Sequence, residues 1–174
     1  LNGEDNYCFF QNCTIKNIEN ARFSVVIDLK NLDEFHFDSI KFIKNVMTVS
    51  DPNSGISYGG GSGIWINRDE NDLLTDDILG RPIKKKSNLI FTNCQFIDNT
   101  DSRKEGGGAF HLGDSLINFE TTFSRCRFER NSAIKGGALE IETIYPLTIS
   151  ECEFIDNKVT CGDQFGGAIY LSPK

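Results

Sequence analysis

Methionine and tryptophan occur once each in this chain, histidine twice and proline four times. The two histidines, His36 and His111, stand alone: there is no Cys-x-x-Cys pair and no Cys/His cluster, which argues against a zinc site. No Gly-x-Ser-x-Gly elbow is present, so the usual serine-hydrolase nucleophile is missing. Gly59-Gly60-Gly61-Ser62-Gly63 lacks the following Lys-Ser/Thr pair of a phosphate loop. Basic charge is also short, with 18 Lys and Arg against 25 Asp and Glu, a net charge of −7. That balance argues against nucleic acid, whose binding needs clustered cations, and equally against an anionic membrane surface. No apolar run approaches the roughly 18 residues that span a bilayer, and no signal peptide is visible. Helical 3.6-residue periodicity is likewise absent.

What the chain does have is glycine, phenylalanine and a repeat. Sixteen Gly and 14 Phe among 174 residues suggest many turns around an aromatic core. The unit reads apolar-x-apolar-x-x-Cys-x-Phe-x-x-Asn. The first copy runs from Cys8 to Asn17, with Ile15 in place of Phe, and the second from Phe35 to Asn45, with Ile40 in place of Cys. The third is complete: Leu89, Phe91, Cys94, Phe96, Asn99. The fourth is Thr121, Phe123, Cys126, Phe128, Asn131, and the fifth Leu147, Ile149, Cys152, Phe154, Asn157. A Gly-Gly-Ala-apolar unit follows at Gly107, Gly136 and Gly166, with a weaker copy at Gly61-Ser62-Gly63-Ile64 and Ser24-Val25-Val26-Ile27 in the first coil.

Cys126 to Cys152 and Asn131 to Asn157 are both 26 residues apart, and Ile15 to Phe42 is 27. Short strands joined by turns at this period match one coil of a solenoid, whose apolar side chains are buried only when coils stack. The expectation is an all-β, right-handed parallel β-helix of about five coils. Residues 1–174 are expected to form one segment of a longer protein, with loop insertions at 46–60 and 67–88. Rungs about 4.8 Å apart make a rod of about 25 Å. Phe42, Phe96, Phe128 and Phe154 stack inward, with Cys13, Cys94, Cys126 and Cys152 beside them. Cys8 joins another inward column, so five of the six cysteines are expected as buried free thiols, and Cys161 as a loop thiol. Asn17, Asn45, Asn99, Asn131 and Asn157 form an amide ladder at bends where Asn tolerates left-handed backbone.

Phe96-Ile97-Asp98-Asn99 and Phe154-Ile155-Asp156-Asn157, each followed by Gly-Gly-Ala, resemble the repeat of polymorphic outer-membrane proteins, the autotransporter adhesins of chlamydiae. Similar repeats occur in large surface proteins of trichomonads. The resemblance implies an extracellular or cell-surface adhesin whose partner is a host or matrix glycan or protein, with no catalytic residues to carry over.

Strand alternation places Asp28, Trp65, His111, Glu140 and Tyr170 in one outward column. Aromatic rings for sugar faces and carboxylates for hydroxyls make this a candidate glycan-binding strip. A glycosidase-type acid pair of Asp28 and Glu140 fails, because three rungs separate them by about 14 Å. The fold is shared by polysaccharide lyases, so a carbohydrate-active enzyme is the alternative. Lys41, Gln95, Arg127 and Glu153 form another outward column, and no Asp cluster accompanies them. A structural filament subunit, associating end to end, is the second alternative. In the 67–88 insertion Asp69, Asp72, Asp76 and Asp77 are candidate Ca²⁺ ligands, without the spacing of an EF-hand loop; no other cofactor is expected. Asn12-Cys13-Thr14 is the single glycosylation sequon.

Overall fold

A short strand with one apolar face cannot stand alone in water, so this chain stacks such strands. The computed structural model describes residues 7–21, 26–28, 34–47, 64–67, 74–75, 82–83, 87–102, 107–112, 119–142, 146–160 and 166–172. The first coil holds β1 (Tyr7–Gln11), β2 (Thr14–Lys16), β3 (Glu19–Ala21) and β4 (Val26–Asp28). The second holds β5 (Glu34–Asp38), β6 (Lys41–Ile43), β7 (Val46–Met47) and β8 (Ile64–Asn67). A two-stranded antiparallel hairpin, β9 (Leu74–Thr75) with β10 (Pro82–Ile83), interrupts the repeat. The third coil is β11 (Ser87–Thr92), β12 (Gln95–Ile97), β13 (Thr100–Asp101) and β14 (Phe110–Leu112). The fourth is β15 (Phe119–Ser124), β16 (Arg127–Glu129), β17 (Ser132–Ala133) and β18 (Leu139–Ile141). The fifth is β19 (Leu147–Ser150), β20 (Glu153–Ile155), β21 (Lys158–Val159) and β22 (Ile169–Leu171).

Corresponding strands pair in parallel, giving four five-stranded sheets: β1-β5-β11-β15-β19, β2-β6-β12-β16-β20, β3-β7-β13-β17-β21 and β4-β8-β14-β18-β22. The chain is therefore a parallel β-solenoid, as its repeat predicts. The third sheet was not anticipated, because strands of two residues carry no readable period. The expected insertions are shorter than 46–60 and 67–88: Val46 and Met47 belong to the third sheet, Asn67 to the fourth, and Ser87 and Asn88 to the first.

The core consists of two aromatic stacks side by side. Ile15, Phe42, Phe96, Phe128 and Phe154 share one register. Their rings lie nearly parallel, at 4.9, 4.8 and 4.7 Å between successive phenylalanines. Phe10, Phe37, Phe91, Phe123 and Ile149 form the second stack. The stacks meet edge to face, as between Phe123 and Phe128 at 5.4 Å, an arrangement that ring quadrupoles favour. Cys94 and Cys126 are buried beside them, whereas Cys8 and Cys152 are half-buried and Cys13 is exposed. Cys13 thus departs from the expected burial, since among the described residues its rung has a neighbour on one side only. All five are free thiols; Cys161 lies outside the described residues.

The amide ladder is present with a corrected register. Asn45, Asn99 and Asn131 are fully buried. Each donates its backbone N–H and side-chain Nδ2 to Oδ1 of the next asparagine, at 2.9–3.2 Å. Each Nδ2 also donates to a carbonyl on the preceding coil, Asn99 to Phe42 at 3.0 Å and Asn131 to Phe96 at 2.9 Å. Asn17 is not a member. Ile15 aligns with Phe42, so the residue aligned with Asn45 is Ile18, whose N–H donates to Asn45 Oδ1 at 3.3 Å.

Left-handed backbone falls one residue before the ladder, at Asn17, Lys44, Asp98, Arg130 and Asp156. A second left-handed corner precedes the cysteine column at Asn12, Ser39, Asn93, Arg125 and Glu151. Of the glycine pairs, Gly136 and Gly166 have positive φ. Gly108 is needed for a different reason: a Cβ there would collide with the carbonyl of Gly137 on the next coil.

Candidate functional site

The fourth sheet carries the outward column expected to bind glycans. Trp65 pairs with His111, His111 with Glu140, and Glu140 with Tyr170. Asp28 does not belong to it. Val26 is the register partner of Trp65, and Asp28 pairs with Asn67. Ile27 pairs with Ile66 rather than Ile64, so the register is displaced from the motif alignment by two residues and Asp28 moves along the strand with it. Nor is the column open. His111 is 5 % exposed and Glu140 0 %, while Tyr170 is half-buried. The side chains of Asp28 and Trp65 lie outside the described residues.

What the column forms is a buried charge cluster. His111 Nδ1 lies 3.5 Å from Glu140 Oε2, and Lys135 Nζ lies 3.5 Å from Glu140 Oε1. Lys135 comes from the turn before Gly136, and its ammonium also sits 5.6 Å from the centre of the Tyr170 ring. A buried carboxylate is tolerated when cations compensate it. The cluster ties the third, fourth and fifth coils together. The imidazole, carboxylate and ammonium are also acid–base groups.

A second cluster lies on the outer face of the first sheet. Register aligns Tyr7 with Glu34 and Asn88, then Phe9 with His36, Ile90, Thr122 and Thr148, then Gln11 with Asp38, Thr92, Ser124 and Ser150. Tyr7 is 66 % exposed and Phe9 59 %. Phe9 stacks on His36 at 4.4 Å, so those rings follow the rung spacing and turn their edges outward. Tyr7 stands at 88° to Phe9, which sets its ring face parallel to the rod axis.

The polar groups around these rings are held in place. His36 Nε2 contacts Glu34 Oε1, and Asn88 Nδ2 donates to Glu34 Oε2 at 3.2 Å. These bonds, the histidine's first, hold the Glu34 carboxyl below the usual carboxylate range. Gln11 and Asn93 donate to Asp38 at 3.0 and 2.9 Å and lower its pKa likewise. Both carboxylates are charged acceptors at neutral pH. His36 faces outward between buried Phe35 and Phe37, and the aromatic partners beside it were not singled out from the sequence. The signal was Tyr7-x-Phe9-x-Gln11, alternating against the inward Cys8 and Phe10.

The second sheet's outward row is as expected, Lys41, Gln95, Arg127 and Glu153 in register. Arg127 Nη1 pairs with Glu153 at 2.8 Å and its Nε with Glu129 at 2.7 Å, so this face is an ion-pair ladder. Asn12, the glycosylation candidate, is exposed at a left-handed corner. Asp69, Asp72, Asp76 and Asp77 lie outside the described residues; among the described residues no group of three or more His, Cys, Asp or Glu is placed to hold a metal ion. No described helix is long and apolar enough to cross a membrane.

The fold and these clusters define a parallel β-solenoid built on a Phe-x-x-Asn coil. Compared with known proteins, the chain matches no family model, no curated protein and no solved structure.

Proposed function

We propose that this chain is a segment of an extracellular or cell-surface β-solenoid that works by binding, an adhesin-like rod whose first-sheet outer face takes a glycan. The observation that carries the reading is the exposed Tyr7 ring, set parallel to the rod axis beside charged Glu34 and Asp38 and the amides of Asn88 and Gln11. A ring face for apolar sugar surface and fixed acceptors and donors for hydroxyls are the elements of such a site. The resemblance of the repeat to surface adhesins supports the same reading.

The test is retention on a panel of immobilised polysaccharides, with and without Ca²⁺, with the eluate scored for new chain ends by mass spectrometry. Tyr7→Ala weakens retention about tenfold, the effect of losing an aromatic contact worth about 1.5 kcal/mol. Retention that is unchanged in Tyr7→Ala and Phe9→Ala overturns the placement of the site. New chain ends in the eluate would instead favour the alternative reading, a carbohydrate-active enzyme.

A further inference from the structure

The outer faces of the rod differ in the sign of their charge. On the second sheet Arg127 is matched by Glu129 and Glu153, and beside the fourth Lys135 is matched by Glu140. The first sheet is one-sided. Its outward positions, among the described residues, carry Glu34, Asp38 and Glu120 and no lysine or arginine. Arg125 stands at the corner beyond β15, where its Nε donates to Asn93 Oδ1 at 2.9 Å. Asp38 accepts from Gln11, Asn93 and Ser39 at 3.0, 2.9 and 3.3 Å. Glu34 accepts from Asn88 at 3.2 Å and from His36. Amide and hydroxyl donors orient a carboxylate without cancelling its charge. An ionised carboxylate offers about four acceptor sites, so among the described residues about one stays open on Asp38 and about two on Glu34.

We propose, building on the glycan reading of this face, that the polymer it takes carries free amino groups: a hexosamine chain without N-acetyl groups, its ammonium groups seated on Glu34 and Asp38. Tyr7 is the register partner of Glu34, one rung away at about 4.8 Å. An aromatic ring beside a carboxylate suits an ammonium, which is attracted by both. Glu34 and Asp38 lie on one strand, about 13 Å apart by the rise per residue. Two seats at that separation fit a polymer with repeated amines better than a single amino sugar. A uronic-acid polymer would meet like charge here, and an N-acetylated polymer would offer the carboxylates only neutral amides.

The test passes the full chain over two immobilised glucosamine polymers of the same linkage, one N-acetylated and one with free amines, in a mildly acidic buffer that keeps the amines protonated. Retention on the free-amine polymer exceeds that on the acetylated one by about tenfold or more. The chain carries a net charge of −7, so a general attraction to polycations is separated by matched variants. Asp38→Asn and Asp156→Asn remove the same charge, the first from this face and the second from an exposed corner beyond the second sheet. Asp38→Asn lowers retention on the free-amine polymer about three- to fivefold and leaves the acetylated one unchanged. Glu34→Gln does the same at the second seat, and Asp156→Asn affects neither polymer. Equal retention on the two polymers, or stronger retention on the acetylated one, overturns the inference and leaves the glycan reading standing. Equal losses from Asp38→Asn and Asp156→Asn overturn it too, because net charge alone then acts. Retention on immobilised polylysine as strong as on the free-amine polymer overturns the sugar as occupant. Retention on neither glucosamine polymer also overturns the inference, and the wider polysaccharide panel with Tyr7→Ala then decides the glycan reading separately.

Discussion

Replacing Asn99 by alanine removes the centre of the ladder. Four hydrogen bonds go: two donated, to Phe42 O and Asn131 Oδ1, and two accepted, from the N–H and Nδ2 of Asn45. Some of the remaining groups keep partners. Asn45 Nδ2 retains the Ile15 carbonyl, and Asn131 Oδ1 retains the backbone N–H of residue 99. The Asn45 N–H loses its acceptor in a position sealed from water. An orphaned buried donor costs about 1–3 kcal/mol, and each further lost bond about 1 kcal/mol. The sum is a loss of about 4–6 kcal/mol. Asn17, exposed and outside the ladder, is the control: Asn17→Ala forfeits only the residue's tolerance of left-handed backbone, about 1 kcal/mol. Urea denaturation followed by circular dichroism compares the two. An Asn99→Ala loss below about 1.5 kcal/mol, or one no larger than that of Asn17→Ala, refutes the reasoning. Asn99→Asp adds a sign. Its carboxyl would face the oxygens of Phe42 and Asn131 in a buried slot, which raises its folded pKa above the unfolded value near 3.9. The variant is thus most stable below that pH and loses stability as pH rises.

Thr121 sits in the column between Leu89 and Leu147, and its buried hydroxyl has no hydrogen-bond partner among the described residues. Thr121→Val therefore raises stability by about 1 kcal/mol in the same urea assay. Lys44 is exposed with φ of 53°, and Lys44→Asn stabilises by about 0.5–1 kcal/mol because asparagine tolerates that backbone region. Glu34, lowered by His36 and Asn88, and Asp98, lowered by Arg130, have folded pKa values below their ordinary 4.5 and 3.8. Their contribution is present above those values and disappears as pH falls through the folded ones, so acid titration destabilises the protein and Asp98→Asn flattens the curve. Among the described cysteines, thiol labelling modifies exposed Cys13 first and reaches Cys94 and Cys126 only on unfolding, since both are buried and their thiols donate to backbone carbonyls.

The aromatic stacks were legible because stacked rungs force the same residue type into the same inward position once per coil. Phe42, Phe96, Phe128 and Phe154 announce that position by the asparagine that follows each of them three residues on. The ladder was legible at four coils and misplaced at the first. Asparagine suits both the left-handed corner and the slot after it, and in the first coil it occupies the corner. Counting from Ile15 as from Phe42 leads to Ile18. The buried character of the His111 and Glu140 column was not legible, because alternation states which side of a strand a residue takes and not what covers that side. The opposite error befell Tyr7 and Phe9. The first coil's degenerate motif hid an alternation that places both rings on an outer face.

These corrections bear on function. The polar column singled out from the sequence is consumed in tying coils together, and the second sheet's face is consumed by ion pairs. The first sheet is where exposed aromatic surface meets oriented hydrogen-bonding groups, which is why the proposed glycan site is placed there.

Side-chain amide exchange, read by ¹⁵N NMR on the unmodified protein, tests the stacking register most directly. Parallel coils in this register predict strongly protected Nδ2 protons on Asn99 and Asn131, whose amides are buried and doubly bonded, and fast exchange on exposed Asn12 and Asn17. Exchange of Asn99 and Asn131 as fast as that of Asn17 would contradict it.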